Sequence, residues 1–227
     1  MTKITKAKEG FRKEGFIVVY KHFNRYDVLN LSILSAIHFV GQGRVFCLDL
    51  YADEPKNKSL INLPEKQIYQ AKTSFPSFDN RINALFFSEG YNMIYSLFQD
   101  FYGKIVCCAD DHYFSTGDTL MDLAMNDFDF AWASWGFPTP YNSIDASILC
   151  FNPIRARSFF PLPVVPCPVD NLYFNHIVNT DLNLSLRRKI YKMKFRDAGN
   201  YKGDGHRVVG NDVETMKEYL RRGGIIT

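Results

Sequence analysis

The sequence lacks several of the signatures that would settle a function at once. There is no glycine-rich P-loop, and no dinucleotide fingerprint follows its first apolar run, so ATPase and dehydrogenase chemistry are weak readings. The segment after that run reads KHFNRYD and holds no glycine, which argues against the phosphate loop of a sugar nucleotidyltransferase. No apolar run approaches the roughly 18 residues that a membrane span needs. Residues 1–15 are charged and lack the apolar stretch of a signal peptide, so a cytoplasmic location is expected, in the host if the protein is viral. The five cysteines, Cys47, Cys107, Cys108, Cys150 and Cys167, show no C-x-x-C spacing. Four of them lie in apolar runs, which predicts reduced core thiols and no zinc site. No repeat and no low-complexity tract is present.

What is there is an ordinary globular balance with an aromatic excess. The 227 residues are 46% hydrophobic and 22% charged, enough for one α/β core and short for two domains. Aromatics reach 15%, with 20 Phe and 13 Tyr, which builds a large core or a stacking cleft. A net charge of +3 suits an anionic ligand such as a nucleotide diphosphate.

The order of elements is legible. FIVVY at 16–20 predicts a buried strand, and the apolar positions Val28, Leu29, Leu31, Ile33, Leu34, Ile37 and Phe39 predict a helix capped by Asn24 or Asp27. RVFCLDL at 44–50 predicts the second strand, so the chain opens β-α-β and favours a parallel sheet. A third strand is expected near 67–71. A long helix is expected within 80–101, whole or split at Gly90. Further strands are expected at 104–109, 129–134 and 146–151, with a short helix at 119–126. Four prolines in 159–168 predict a rigid crossing, and 171–179 reads as helical. IYKMKF at 190–195 alternates like an edge strand. Residues 202–210 form a Gly-rich loop, and a last helix is capped by Asn211 and ended by Gly223.

The stretch KIVCCADDHYF carries the chemistry. A buried apolar strand ends in Asp110, Asp111 and His112, where an open α/β sheet binds its ligands. Two adjacent carboxylates are costly there unless a cation lies beside them. A hard divalent ion, Mn2+ or Mg2+, takes carboxylate oxygens and bridges nucleotide phosphates. Lys202 and Arg207, beside the glycines of the late loop, are placed to neutralise phosphate.

Strand, acidic pair, short helix, strand and then DASILCFN together resemble the core of the GT-A nucleotide-sugar glycosyltransferases, over residues 16–206. The resemblance implies an α/β fold: a single GT-A-like domain, residues 16–227, with a mostly parallel central mixed sheet flanked by helices, after a polar tail at 1–15. A nucleotide-binding half spans about 16–112 and an acceptor half about 113–227. The family's acidic motif stands here as Asp110-Asp111-His112, so either Asp111 or His112 takes the ligand role of its final acid, and His206 completes the metal shell. The same resemblance places Tyr20, His22, Asn24 and Arg25 at the base and ribose, Asp49 at the base, and Arg81 near the donor. It makes Asp145 and Asp170 the acceptor base or sugar clamp, with Asn152 closing the segment that Asp145 opens.

The implied activity is metal-dependent transfer of a sugar from a nucleotide-sugar donor, of the UDP type, to an acceptor hydroxyl. The acceptor is a glycan, a protein or a hydroxymethylated DNA base, as in small viral or phage enzymes. RRKIYKMKFR at 187–196, with six basic residues, is either a phosphate-contacting strip or a solvated face. The competing readings are a sugar nucleotidyltransferase and a non-catalytic module that binds a nucleotide-sugar or nucleic acid.

Overall fold

A computed structural model describes residues 15–74, 83–135, 145–162, 164, 190–197, 205–206 and 213–227. The chain enters through β1 (Phe16–His22), crosses α1 (Tyr26–Val40) and returns as β2 (Val45–Tyr51). Next come β3 (Ile68–Lys72), α2 (Asn83–Phe98), β4 (Lys104–Ala109) and the short β5 (His112–Tyr113). α3 (Asp118–Met125), β6 (Phe130–Trp135), β7 (Asp145–Phe151), β8 (Ile190–Asp197), β9 (Gly205–His206) and α4 (Val213–Arg222) complete the order.

Among the described residues the strands form a nine-stranded sheet in the order β3-β2-β1-β4-β7-β6-β8-β9-β5. β1 is parallel to β2 and β4, and β2 is parallel to β3. β7 runs antiparallel to β4 and β6, and β8 is parallel to β6. The α/β class with a mostly parallel mixed sheet and flanking helices is therefore the observed one.

Continuous apolar strands are what a sheet covered on both faces requires. Their period of two splits the core into two layers. Phe16, Val18, Tyr20, Val45, Cys47, Val106 and Cys108 pack with Leu29, Ile33 and Phe39 of α1. Ile17, Val19, Leu48, Leu50, Ile105 and Cys107 pack with Tyr91 and Ile94 of α2. Each large side chain so buried contributes roughly 1.5–3 kcal/mol. Cys47, Cys107, Cys108 and Cys150 are buried free thiols inside these layers; burial pushes each thiol's pKa up, so they are chemically quiet.

Two local expectations fail. Arg25, not Asn24 or Asp27, occupies the N-cap of α1, and its side chain makes no capping bond. β8 is not an edge strand, because β9 pairs on its other side. The long helix is unbroken at Gly90. Gly41, at φ 87°, ends α1 as expected. The tail at 1–14, the helix at 171–179, the cap Asn211 and Cys167 lie outside the described residues.

The foot of the two central strands depends on one close approach. A Cβ on Gly103 would stand 1.4 Å from the carbonyl oxygen of Gly15, which accepts the Lys104 N–H at 3.2 Å. The obstacle is backbone and cannot rotate away. Gly103→Ala is expected to lower stability by about 3 kcal/mol in denaturant unfolding; an unchanged midpoint would contradict this packing.

Candidate functional site

The period that divides the core also assembles the site. On β1 the α1-side positions 16, 18 and 20 continue to His22. On β2 they continue to Asp49, and on β4, past its last residue, to Asp110. The register sets His22 beside Asp49 and Asp49 beside Gln70. Four adjacent parallel strands thus present a row, Gln70–Asp49–His22–Asp110, at their carboxyl ends. Gln70 is half-buried, and the other three are nearly dry: His22 is 1% exposed, Asp49 1% and Asp110 4%.

Hydrogen bonds join the row at its two ends. Gln70 Nε2 donates to Asp49 Oδ2 at 3.1 Å. His22 Nδ1 donates to Asp110 Oδ2 at 3.0 Å. His22 Nε2 and Asp49 Oδ1 face each other at 3.9 Å, too far for a direct hydrogen bond, and the Tyr26 hydroxyl acts on the same carboxylate. Burial raises the pKa of Asp49, while Gln70, His22 and Tyr26 pull it back down. Burial, and then the charge of Asp49, pushes the Tyr26 hydroxyl up to about 12, so it remains a donor.

The acidic turn is braced from behind by α1. Ser32 Oγ donates to the Asp110 carbonyl at 2.6 Å, and the Phe114 N–H donates to Ser35 Oγ at 3.0 Å. Tyr20 donates its hydroxyl to the Ser32 carbonyl at 2.8 Å and stands 3.2 Å from the His112 carbonyl. Ser32 and Ser35 are fully buried in a helix whose other inward residues are apolar. That pattern, a small polar stripe on a core face, was the sequence signal for these bracing residues, and apolar periodicity alone passes over it.

Arg25 lies against both acids. Its Nη2 meets Asp110 Oδ1, its Nε stands 3.2 Å from Asp110 Oδ2, and its Nη1 lies 3.5 Å from Asp111 Oδ2. Burial works against the guanidinium charge, but the fields and hydrogen bonds of Asp110 and Asp111 outweigh it and raise its pKa.

The expected residues divide accordingly. His22, Arg25, Asp49, Asp110 and Asp111 converge. Tyr20 is fully buried and braces the turn. Asn24 is exposed, with the left-handed φ of 62° that asparagine tolerates. His112 is buried, with Nδ1 3.7 Å from Asp111 Oδ1. Backbone pairing puts His206 directly across from His112, so the late histidine returns to the acidic turn. Asp145 starts β7; because β7 runs antiparallel to β4, with Ile148 opposite Cys108, Asp145 lies at the end of the sheet where β4 leaves. Asn152 serves a turn instead, its Oδ1 accepting the Ile154 and Arg155 N–H groups, each at 3.1 Å. Arg81, Asp170, Lys202 and Arg207 lie outside the described residues.

Among the described residues no three His, Cys, Asp or Glu side chains are set around one metal position. Asp110 and Asp111 still fit Mn2+ or Mg2+ in donor chemistry, as adjacent hard oxygens at a strand exit, with Asp111 17% accessible. A cavity of about 520 Å3 opens elsewhere, on the α2 face, between Leu48, Tyr69, Ala71, Met93 and Leu97. Its polar neighbours are already engaged, Asn92 with both backbone groups of Leu162 and Glu89 with Thr73 and Ser74.

No family model and no curated protein matches the chain. Solved structures do. The glucosyl-3-phosphoglycerate synthase of Mycobacterium tuberculosis, in complex with Mg2+ and uridine diphosphate, matches with a TM-score of 0.51 at 11% identity, over 100% of this chain and 85% of the synthase. The same synthase in complex with Mn2+, UDP-glucose and phosphoglyceric acid gives 0.51 at 11%, over 100% and 86%. The galactosyltransferase LgtC, in complex with donor and acceptor sugar analogs, gives 0.51 at 10%, over 92% and 96%. The likeness is one of fold: this chain has a GT-A-like α/β fold.

Proposed function

We propose that this chain is a glycosyltransferase that moves a sugar from a UDP-type nucleotide-sugar to an acceptor hydroxyl. The observation that carries the reading is the polar row at the carboxyl ends of β3, β2, β1 and β4, on a GT-A-like fold, with Arg25 and two carboxylates at its open end. Open α/β sheets bind ligands at that edge. Asp49 Oδ1 and His22 Nε2, buried and facing each other, offer a polar edge for a nucleobase. The solved synthase structures of the same fold contain uridine nucleotides with Mg2+ or Mn2+.

In this reading Asp110 and Asp111, with His206 returning beside His112, would hold the divalent ion. The ion supplies positive charge for the diphosphate leaving group. Arg25 is the protein's own cation toward that diphosphate. Asp145, at the same end of the sheet, is the described candidate for acceptor base or sugar clamp, and Asp170 is the second. The acceptor is a glycan or protein hydroxyl. Lys192, Lys194 and Arg196, at alternate positions of β8, favour a hydroxymethylated DNA base as the second candidate.

The test is release of UDP from UDP-sugars in the presence of Mn2+. Turnover should appear with one donor, and Asp111→Asn should lower it by about 100-fold or more at unchanged thermal stability. Equal donor affinity of the variant by calorimetry would remove Asp111 from the site, and no release or binding of any nucleotide-sugar would remove the transferase reading.

A further inference from the structure

We propose that Arg25 is the resident counter-ion of the acidic turn, and that its guanidinium and a divalent cation compete for the same carboxylate oxygens. The inference rests on the transferase reading only in supposing that a cation enters this site.

Three observations carry it. The first is occupancy. Asp110 is 4% exposed, its Oδ1 is met by Arg25 Nη2, and its Oδ2 is met by Arg25 Nε at 3.2 Å and His22 Nδ1 at 3.0 Å. Asp111 Oδ2 lies 3.5 Å from Arg25 Nη1. One planar guanidinium therefore spans both carboxylates, in the bidentate manner that suits it. A hard divalent ion needs those oxygens.

The second observation is that Arg25 serves no helix purpose where it stands. It is the N-cap of the 15-residue α1, yet it makes no side-chain cap. A cation at a helix N-terminus also opposes the macrodipole, where a carboxylate or a small hydroxyl would stabilise. The helix is weaker for carrying arginine there, and the acidic pair is the feature that explains it.

The third is freedom to leave. The backbone is fixed, with the Arg25 carbonyl accepting the Leu29 N–H at 3.0 Å. The side chain, however, is 39% exposed and borders water. It can rotate outward without disturbing α1, and outside the acids it would meet the phosphates of an incoming diphosphate.

The probe is MnCl2 alone, titrated by calorimetry into the full chain and its variants. Arg25→Met should bind Mn2+ about ten- to a hundredfold more tightly than the native protein, because a unit positive charge about 4 Å away has been removed. Arg25→Lys, a point charge without the fork, should fall between them. Asp111→Asn in the Arg25→Met background should cancel the gain. Mn2+ should also raise the melting temperature of Arg25→Met more than that of the native chain. Because Arg25→Met could fail to fold, the native protein supplies a second measurement. Mg2+ titration should move the Arg25 Nε–H resonance in step with binding, as the guanidinium leaves the acids. Equal or weaker Mn2+ affinity in Arg25→Met, or an unmoved Arg25 resonance at saturating Mg2+, overturns the competition. UDP release from a nucleotide-sugar is measured separately, so either result can fail while the other stands.

Discussion

Replacing Asp110 by alanine should lower stability by about 3 kcal/mol and abolish donor binding. The carboxylate is buried and joins His22 and the Arg25 guanidinium. Removing one member of a buried charged network strands the others, at a cost of about 3–5 kcal/mol. The lower end applies here, because the Arg25 side chain is 39% exposed and water can take over part of its solvation. The bond from Ser32 Oγ goes to the backbone carbonyl of Asp110 and survives the substitution, so the loss belongs to the side chain. Asp110→Asn keeps the shape and one acceptor oxygen and should recover about half of the stability, without recovering donor affinity. Arg25→Met added to Asp110→Ala should cost less than the sum of the single changes, by about 1–2 kcal/mol. Chemical denaturation of the native chain, the three single variants and the double variant measures every term. Native stability in Asp110→Ala would show that the row is not a coupled network.

The parallel half of the fold was legible because its strands are continuous apolar runs and its first helix has a broad apolar face. The acidic exit of β4 was legible for the same reason: polarity changes abruptly where the strand ends. The identity of the neutralising cation was not. Arg25 meets Asp110 across 85 positions of sequence, and local spacing carries no trace of that contact. The adjacent acids were read as a site for a divalent ion, and the structure also sets a side chain from a helix start against both of them. The cap of α1 was misread for a related reason, since a tertiary ion pair overrode the local preference for Asn or Asp. β8 read as an edge because its neighbour β9 is two residues long and has no apolar pattern. Tyr20 shares the face of His22 but stands two residues deeper in β1, where α1 covers it.

Lys21 shows the same parity on the other face, and its titration should be visible in the stability of the whole protein. It follows Ile17 and Val19 into the α2 layer, is 3% exposed, and sets Nζ 4.5 Å from the centre of the Tyr91 ring. Burial pushes its amine down from 10.5 to about 7, against the opposing fields of Asp110, Cys107 and Asp111. Below pH 7 the amine is charged both folded and unfolded, and the cost of burying an ammonium is present in full. Between pH 7 and 10.5 the folded amine is neutral while the unfolded one still holds its proton, so stability rises with pH across that window. Lys21→Met should therefore be more stable than the native chain at pH 6 by about 2–3 kcal/mol, after allowance for the lost ring contact, and its gain should shrink steadily by pH 10. Urea unfolding at pH 6, 8 and 10 tests this; a variant no more stable than native at pH 6, with the native pH slope, would mean that the ammonium is not desolvated. Gly90 supplies an independent check on the same burial. A Cβ there would stand 2.3 Å from Lys21 Cδ, so the middle of α2 carries a glycine where the lysine stem passes. Gly90→Ala should destabilise the native chain, yet stabilise a Lys21→Ala background by up to about 1 kcal/mol, because only helix propensity then remains. A sign that does not reverse between the two backgrounds would show that the lysine stem is not what excludes a side chain at position 90.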